Sequence, residues 1–303
     1  MKLLDGHLHT RTAPGNWFRD CADERGYAAY AVLSLSCMAS FHGAANNDYC
    51  LAAKKADPAR CYFFAGLAHP CGDYRKHVQT WLERGADGIK FIETKPTVYK
   101  ETGVDLSDER FDAMFGYLEE TATPILWHVG DPATFWHREQ APDFAIENGW
   151  LYDDGSFPTL EALYAIPEKV LARHPKLHIA FAHLYFCGDD MQHARRILDT
   201  YPNVRFDLTP GVEMYGHFFA DRALWRAFFM DYQDRLQLGT DTDMGDKLSA
   251  PDALKLTLGS LTNAQVDLCG QKGRGLDLPE AVIEKIIYSN FRCFAGENPK
   301  SLP

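Results

Sequence analysis

His7 and His9 stand two residues apart in DGHLH near the start of the chain. On a β-strand successive side chains alternate faces, so Asp5, His7 and His9 point one way while Leu4, Gly6 and Leu8 point the other. Two imidazoles stacked on one face can grip one cation. Taken alone, the pair does not establish a metal site. It gains weight because other apolar runs end in the same kind of residue: His128 in ILWHVGDP, His183 in IAFAHL and Asp241 in LQLGTDTD. Histidines with purely structural roles scatter, as His77, His174, His178 and His193 do. His42, His69, His137 and His217 fall in loops; His69 follows the third strand, where it either faces substrate or, as the leading reading, is a satisfied loop histidine.

The elements that must position these residues are legible as a repeat of strand and helix patterns. Apolar runs with strand character occupy residues 2–9, 30–37, 62–68, 88–92, 124–129, 177–183, 204–208 and 236–240. Helical patterns fall between them, at 47–56, 73–84, 107–121, 160–174 and 189–201. Gly85 stops one helix, SDER from residue 107 reads as a capping box, and Pro175 and Pro202 close two others. Strands alternating with helices imply a parallel sheet, and eight units point to a closed (β/α)8 TIM barrel rather than the rival doubly wound sheet. The whole chain, 1–303, is expected to form one such α/β domain. In that fold the C-terminal strand ends carry the active site, which is where the histidines and Asp241 fall. One connection is long, 131–158, and carries Phe135, Trp136, Trp150, Tyr152 and Phe157. It reads as an insertion on the active face, either a lid or an aromatic cluster packed on the barrel.

A net charge of −11 repels phosphate backbones and anionic membranes, so neither nucleic acid nor membrane is an expected partner. An anionic substrate remains compatible, because a local site can oppose the global charge. No signal peptide is read at the start, and the longest uncharged stretch, 27–41, is too short to span a bilayer. Eight scattered cysteines without a CxxC pair suit free thiols in a reducing cytoplasm.

These motifs resemble the amidohydrolase-related (amidohydrolase 2) family of the amidohydrolase superfamily, metal-dependent TIM-barrel hydrolases and decarboxylases. The matching segments are DGHLH at 5–9, GIKF at 88–91, HVGDP at 128–132, AHL at 182–184, GTD at 239–241 and NFRCFAG at 290–296, in order over nearly the whole chain. The resemblance implies His7, His9, His128 and Asp241 as metal ligands, with His183 a catalytic histidine or a ligand to a second ion. One or two divalent ions are implied; nitrogen and oxygen donors suit Zn²⁺ and also admit Mn²⁺ or Fe²⁺. Metal-activated water would attack an electrophilic carbon, with Asp241 carrying the proton and His183 stabilising charge.

Lys90 has inward parity on the fourth strand and is read as an ammonium for a substrate carboxylate. The alternatives are a structural ion pair or the carbamylated lysine of some superfamily members. Arg11 is a second substrate-binding candidate. Asp5 reads as a residue orienting a ligand histidine or as a buried structural acid, and Glu213 and Asp243 carry weaker cases. The leading expectation is hydrolysis of a small amide, lactone or related ester. Non-oxidative decarboxylation of a small aromatic or unsaturated acid uses the same ligand set. A barrel that binds a ligand or metal without turnover is the third reading. Such barrels are commonly dimeric, which makes a homodimer compatible, although no interface signature is legible.

Overall fold

A computed structural model describes residues 1–11, 17–211, 213–243 and 250–297. Its main sheet is parallel throughout and contains β1 (Leu4–His9), β2 (Ala29–Leu33), β3 (Cys61–Gly66), β4 (Gly88–Thr94), β5 (Ile125–Val129), β6 (Ile179–Phe181), β7 (Val204–Asp207), β8 (Leu236–Gln237) and β9 (Thr242–Asp243). Each strand pairs with its sequence neighbour from β1 to β8, and β9 pairs with β1. β8 and β9 are two halves of one segment. Between them Gly6 N donates to Leu238 O (3.0 Å) and Asp241 N donates to His7 O (2.8 Å). The eighth strand therefore bridges β7 on one side and β1 on the other, and the sheet closes into the TIM barrel expected from the sequence.

The closure depends on two glycines. A Cβ on Gly6 would lie 2.5 Å from Phe291 Cδ2 and 2.9 Å from Leu238 O. A Cβ on Gly239 would lie 2.3 Å from Thr209 Oγ1 and 2.8 Å from the Cβ of His7. The glycine of GTD thus lets the last strand pass directly against the histidine of DGHLH. A π-helical turn, Lys285–Ser289, supports the same seam, with Ile286 O accepting from Leu238 N at 2.9 Å.

The strand residues are buried on both faces, as in parallel barrels. On β4, Phe91 meets Phe115 of the helix Asp112–Glu120 and Trp127 of β5, whereas Lys90 has the opposite, inward parity. Helices start and stop where side chains dictate. Asp73, Thr159 and Asp190 accept hydrogen bonds from Lys76 N, Ala162 N and His193 N, which caps the helices Tyr74–Glu83, Leu160–Arg173 and Met191–Thr200.

Some expected boundaries move, for local reasons. The run 30–37 leaves the sheet after Leu33, because Leu35 N donates to the Asn46 side chain instead of a strand. The helix expected over 107–121 divides into a 3-10 turn, Glu109–Phe111, and the helix Asp112–Glu120. Its expected capping box does not form: Asp105 takes both the amide and the hydroxyl of Ser107, and Asp108 caps Arg110 N. The hairpin Gln265–Leu268 and Gln271–Arg274 has no counterpart in the sequence reading. Its Cys269–Gly270 turn has both residues at positive φ, the geometry of a type I′ turn.

The eight cysteines are free thiols, as expected. Among the described residues no helix is long and apolar enough to cross a membrane.

The seam makes a sharp prediction. Gly6→Ala should destabilise the protein by about 1–3 kcal/mol through overpacking against Phe291, and Phe291→Leu in the same chain should recover part of the loss. Urea unfolding of the three proteins measures both effects; an unchanged midpoint for Gly6→Ala refutes the close approach.

Candidate metal centre and active-site cavity

Two hydrogen bonds decide which nitrogens of the β1 histidines are available. His9 Nδ1 donates to Leu33 O at 2.8 Å, and since a carbonyl can only accept, that nitrogen carries the proton. His7 Nδ1 lies 2.7 Å from Asp207 Oδ2, so the ring donates to a buried carboxylate. Burial, reinforced by the Lys90 ammonium, lowers the His7 pKa to about 4, which keeps the ring neutral near pH 7. His7 Nε2 therefore presents a lone pair, which the Lys90 ammonium approaches at 3.3 Å.

That lone pair faces two other electron-rich atoms. His7 Nε2 and His9 Nε2 are 3.2 Å apart, and Asp241 Oδ1 lies 3.3 Å from the first and 2.9 Å from the second. No hydrogen joins two imidazoles that are both protonated on the far nitrogen, so the contact is repulsive unless a cation sits between them. Two ligand atoms about 2.1 Å from a shared ion and roughly 90–110° apart stand about 3.0–3.4 Å from each other. The donor set and spacing fit a divalent cation, and these are the residues whose ligand atoms all lie within 4.8 Å of one another.

Asp241 is held in place by its backbone. It adopts φ +55, a left-handed conformation that strains a non-glycine residue, and its amide is tied to His7 O. Desolvation opposes its ionisation, but the rings of His7, His9 and His183 outweigh that and hold its carboxyl well below the usual range.

His128 and His183 form a second group beside the first. His128 Nε2 donates to Gly130 O at 2.9 Å, and its Nδ1 lies 3.2 Å from His183 Nε2. His183 Nε2 reaches Asp241 Oδ2 at 3.8 Å, while its buried Nδ1 has no hydrogen-bond partner among the described residues. His183 opens a run of four left-handed residues through Phe186, costing roughly 1–2 kcal/mol each by intrinsic preference. The amide of His183 pays part of that back by donating to Asp207 Oδ1 at 2.9 Å. Asp207 thereby fixes a candidate ligand and a candidate catalytic histidine with one carboxylate. Burial disfavours its charge, but His7 and then His183 lower its pKa to about 2.

The remaining sequence candidates fall as follows. Lys90 Nζ lies 3.3 Å from His7 Nε2, fully buried. Arg11 is 64% exposed, stacks over Phe41 and sits 3.6 Å from Asp243. Asp5 accepts from His7 N, Tyr27 OH and both the amide and hydroxyl of Thr240; it organises backbone and seam, and the ring-orienting bond to His7 comes from Asp207. Glu213 accepts from Thr134 Oγ1 at 2.6 Å. His69 is satisfied by Glu93 and Tyr74, as the sequence reading expected.

Three residues beyond those candidates complete the region. Lys95 Nζ contacts both oxygens of Asp131, at 2.7 and 2.6 Å. Asp131 also accepts from Tyr152 OH at 2.5 Å and lies 3.3 Å from His128 Nε2. The insertion is thus tied to the histidine through Asp131, while Phe135, Ala145 and Tyr152 give it a small core of its own. Asp207 and Lys95 sit at strand C-terminal ends, the same signal that found Asp241, and Asp131 stands inside HVGDP. A cavity of about 260 Å³ opens over His7, His9, Lys90 and Asp241, walled by Phe41 and Trp150. A smaller one of about 100 Å³ lies over His128 and His183 and shares Lys95, Trp150 and Asp241 with it.

Comparison with known proteins agrees with this architecture. A family model described as amidohydrolase matches residues 20–291. An uncharacterized TIM-barrel protein from Bordetella bronchiseptica superposes with a TM-score of 0.62 at 15% identity, over 98% of this chain and 100% of that one. A 2,6-dihydroxybenzoate decarboxylase from Rhizobium gives 0.60 at 13% identity, over 98% and 99%. A 5-carboxyvanillate decarboxylase from Novosphingobium aromaticivorans, solved with manganese and 4-hydroxy-3-methoxy-5-nitrobenzoic acid, gives 0.55 at 12%, over 98% and 96%. Identities this low speak to the fold. A search of curated proteins gives no match. With the family model spanning most of the chain and the barrel closed as its members require, this protein belongs to the amidohydrolase family.

Proposed function

We propose that the protein is a metal-dependent hydrolase of a small amide, lactone or related ester. The observation that carries this reading is the convergence of His7 Nε2, His9 Nε2 and Asp241 Oδ1 within 2.9–3.3 Å at the floor of a cavity. His128 is the fourth candidate ligand, engaged with His183 in this structure. Nitrogen and oxygen donors without thiolate favour Zn²⁺ and admit Mn²⁺ or Fe²⁺. When bound, such an ion supplies Lewis acidity, polarising a substrate oxygen and making water nucleophilic near neutral pH.

The chain's own residues supply the rest. Asp241 takes a proton and returns it to the leaving group, with Oδ2 turned to His183. His183, neutral because burial lowers its pKa to about 3, donates a hydrogen bond to developing negative charge. Lys90 binds a substrate carboxylate: no carboxylate of the described residues lies within salt-bridge reach of its ammonium, and its one hydrogen-bond partner is His7. Arg11 adds positive charge at the cavity wall. Residues 131–158 act as an active-face insertion on a single barrel domain, with Trp150 closing both cavities. Eight free thiols suit a cytoplasmic protein.

Decarboxylation of a small aromatic or unsaturated acid is the second reading. It is favoured by the flat walls of Phe41 and Trp150 around a chamber that also holds Lys90 and Arg11.

Zinc per chain, measured by atomic emission, should fall at least about tenfold in His9→Ala and in Asp241→Ala, with His128→Ala alongside as the test of a fourth ligand. Wild-type metal content in the first two variants overturns the site. On the loaded enzyme, a panel of lactones, amides and aromatic acids separates the readings: acid release supports hydrolysis and carbon dioxide release supports decarboxylation. Full metal loading with no turnover of any member leaves a binding barrel.

Lys90 gives an independent prediction in the metal-free protein. Burial lowers its pKa from 10.5 to about 8, so the unfolded chain holds that proton more tightly. The cost to stability is full below pH 8 and fades as pH rises toward 10.5. Lys90→Met should therefore stabilise the metal-free protein on the order of 3 kcal/mol at pH 7 and contribute little at the alkaline end of that range. A less stable Lys90→Met at pH 7 would show that the lysine is kept for structure.

A further inference from the structure

Phe186 ends the left-handed turn that begins at His183, and the chemistry proposed above makes no use of it. Its ring stacks on His183 with centroids 4.8 Å apart and planes 19° apart, and meets His128 edge-on at 5.5 Å. One side of the ring lines the inner cavity of about 100 Å³ with His183 and Asp241. The same side chain lines an outer cavity of about 390 Å³, set between the helices Leu160–Arg173 and Met191–Thr200. Gly211 makes room for it, since a Cβ there would stand 3.0 Å from Phe186 Cε1 and 3.2 Å from the Cβ of His183. With φ +49 at Phe186 itself, the backbone holds the ring between the two chambers at a cost in strain.

The chambers differ in charge. On the side of the candidate metal centre Lys90 and Arg11 line the larger cavity with Asp241 and Asp243, and Lys95 lines both cavities, paired with Asp131, so cations there balance the carboxylates. The outer cavity presents Glu161, Glu168, Asp189 and Asp190 against a single guanidinium, Arg196, which is itself paired with Glu168 at 2.8 Å.

We propose that Phe186 is a specificity-determining partition, a ring that ends the substrate chamber beside His183 and so restricts this site to compact anionic molecules. The proposal rests on the reading above that the substrate sits over the candidate metal centre, with the inner chamber as the adjoining part of its site, sharing Lys95, His128, Trp150 and Asp241 with the larger cavity. Removing the ring joins the inner chamber to the outer one and admits a longer molecule. The extension it admits is neutral, because a second anionic group would meet the four outer carboxylates.

The test is calorimetric titration of zinc-loaded wild type, Phe186→Ala and Phe186→Trp with benzoate, 4-phenylbenzoate and biphenyl-4,4′-dicarboxylate. Phe186→Ala should bind 4-phenylbenzoate at least about tenfold more tightly than wild type does, with benzoate changed by less than about threefold. The dicarboxylate should gain much less, and Phe186→Trp should gain nothing for either long acid. If Phe186→Ala does not fold, Phe186→Leu carries the same comparison with a smaller shift in the same direction. An unchanged ratio of the two monoacids overturns the partition, and so does an equal gain for the dicarboxylate or the absence of binding by every protein. Turnover and zinc content read on the same preparations judge the catalytic reading separately: a wild type that binds benzoate without turning over any substrate overturns that reading and leaves the ratio to judge Phe186.

Discussion

The structure depends on a constraint at two ring nitrogens. Leu33 O and Asp207 each hold one Nδ1 proton of the β1 histidines, and both Nε2 lone pairs are thereby aimed at the same point as a carboxylate oxygen. Arranged that way, the three groups repel one another; the Lys90 ammonium offsets this at His7 Nε2, and a cation held among all three would offset it for each. The fold does not tolerate this arrangement by accident. It needs β1 and the eighth strand side by side, so Gly6 and Gly239 must lack side chains and the last strand must break at the point where Asp241 turns into the cavity. Barrel closure and the geometry of the candidate metal site rest on the same set of contacts.

The second histidine pair is organised by a different principle. His128 and His183 share a hydrogen bond, and each is anchored to a buried carboxylate, Asp131 for one and Asp207 for the other. Asp131 is in turn neutralised by Lys95, which burial of its charge demands. Tyr152 brings the insertion into that ion pair, so the mouth of the barrel and the loop above it are mechanically joined. The strained residues His183, Phe186 and Asp241 border the same space. Positive φ also occurs at His42, Ala122, Cys269 and Asp277, but the consecutive run of four such residues among the described residues starts at His183 beside the cavity, as a site built for binding would show.

Much of this was legible in the primary structure, for physical reasons. A parallel barrel buries strands on both faces, so its strands appear as apolar runs, and a polar residue survives at a run's end only where the active face needs it. That rule singled out His7, His9, His128, His183 and Asp241. The same rule applied to VRFDL would have found Asp207, and Lys95 follows the fourth run in the same manner. The 3-10 turn at Glu109–Phe111 and the hairpin around Cys269 escaped because they turn on local competition: an aspartate capturing a serine, and a cysteine accepting positive φ beside a glycine.

The chain by itself therefore determined the alternation of elements, the inward parity of the histidines and Lys90, and the family to which its motifs point. Tertiary structure alone decided which nitrogen of each ring is free, which carboxylate holds it, that His128 is joined to the group through His183, and that Phe186 stands between two chambers. The division has a simple cause. Periodicity records which face of an element a side chain occupies, whereas a proton's location on imidazole is set by whichever acceptor a distant segment brings to the other side of the ring.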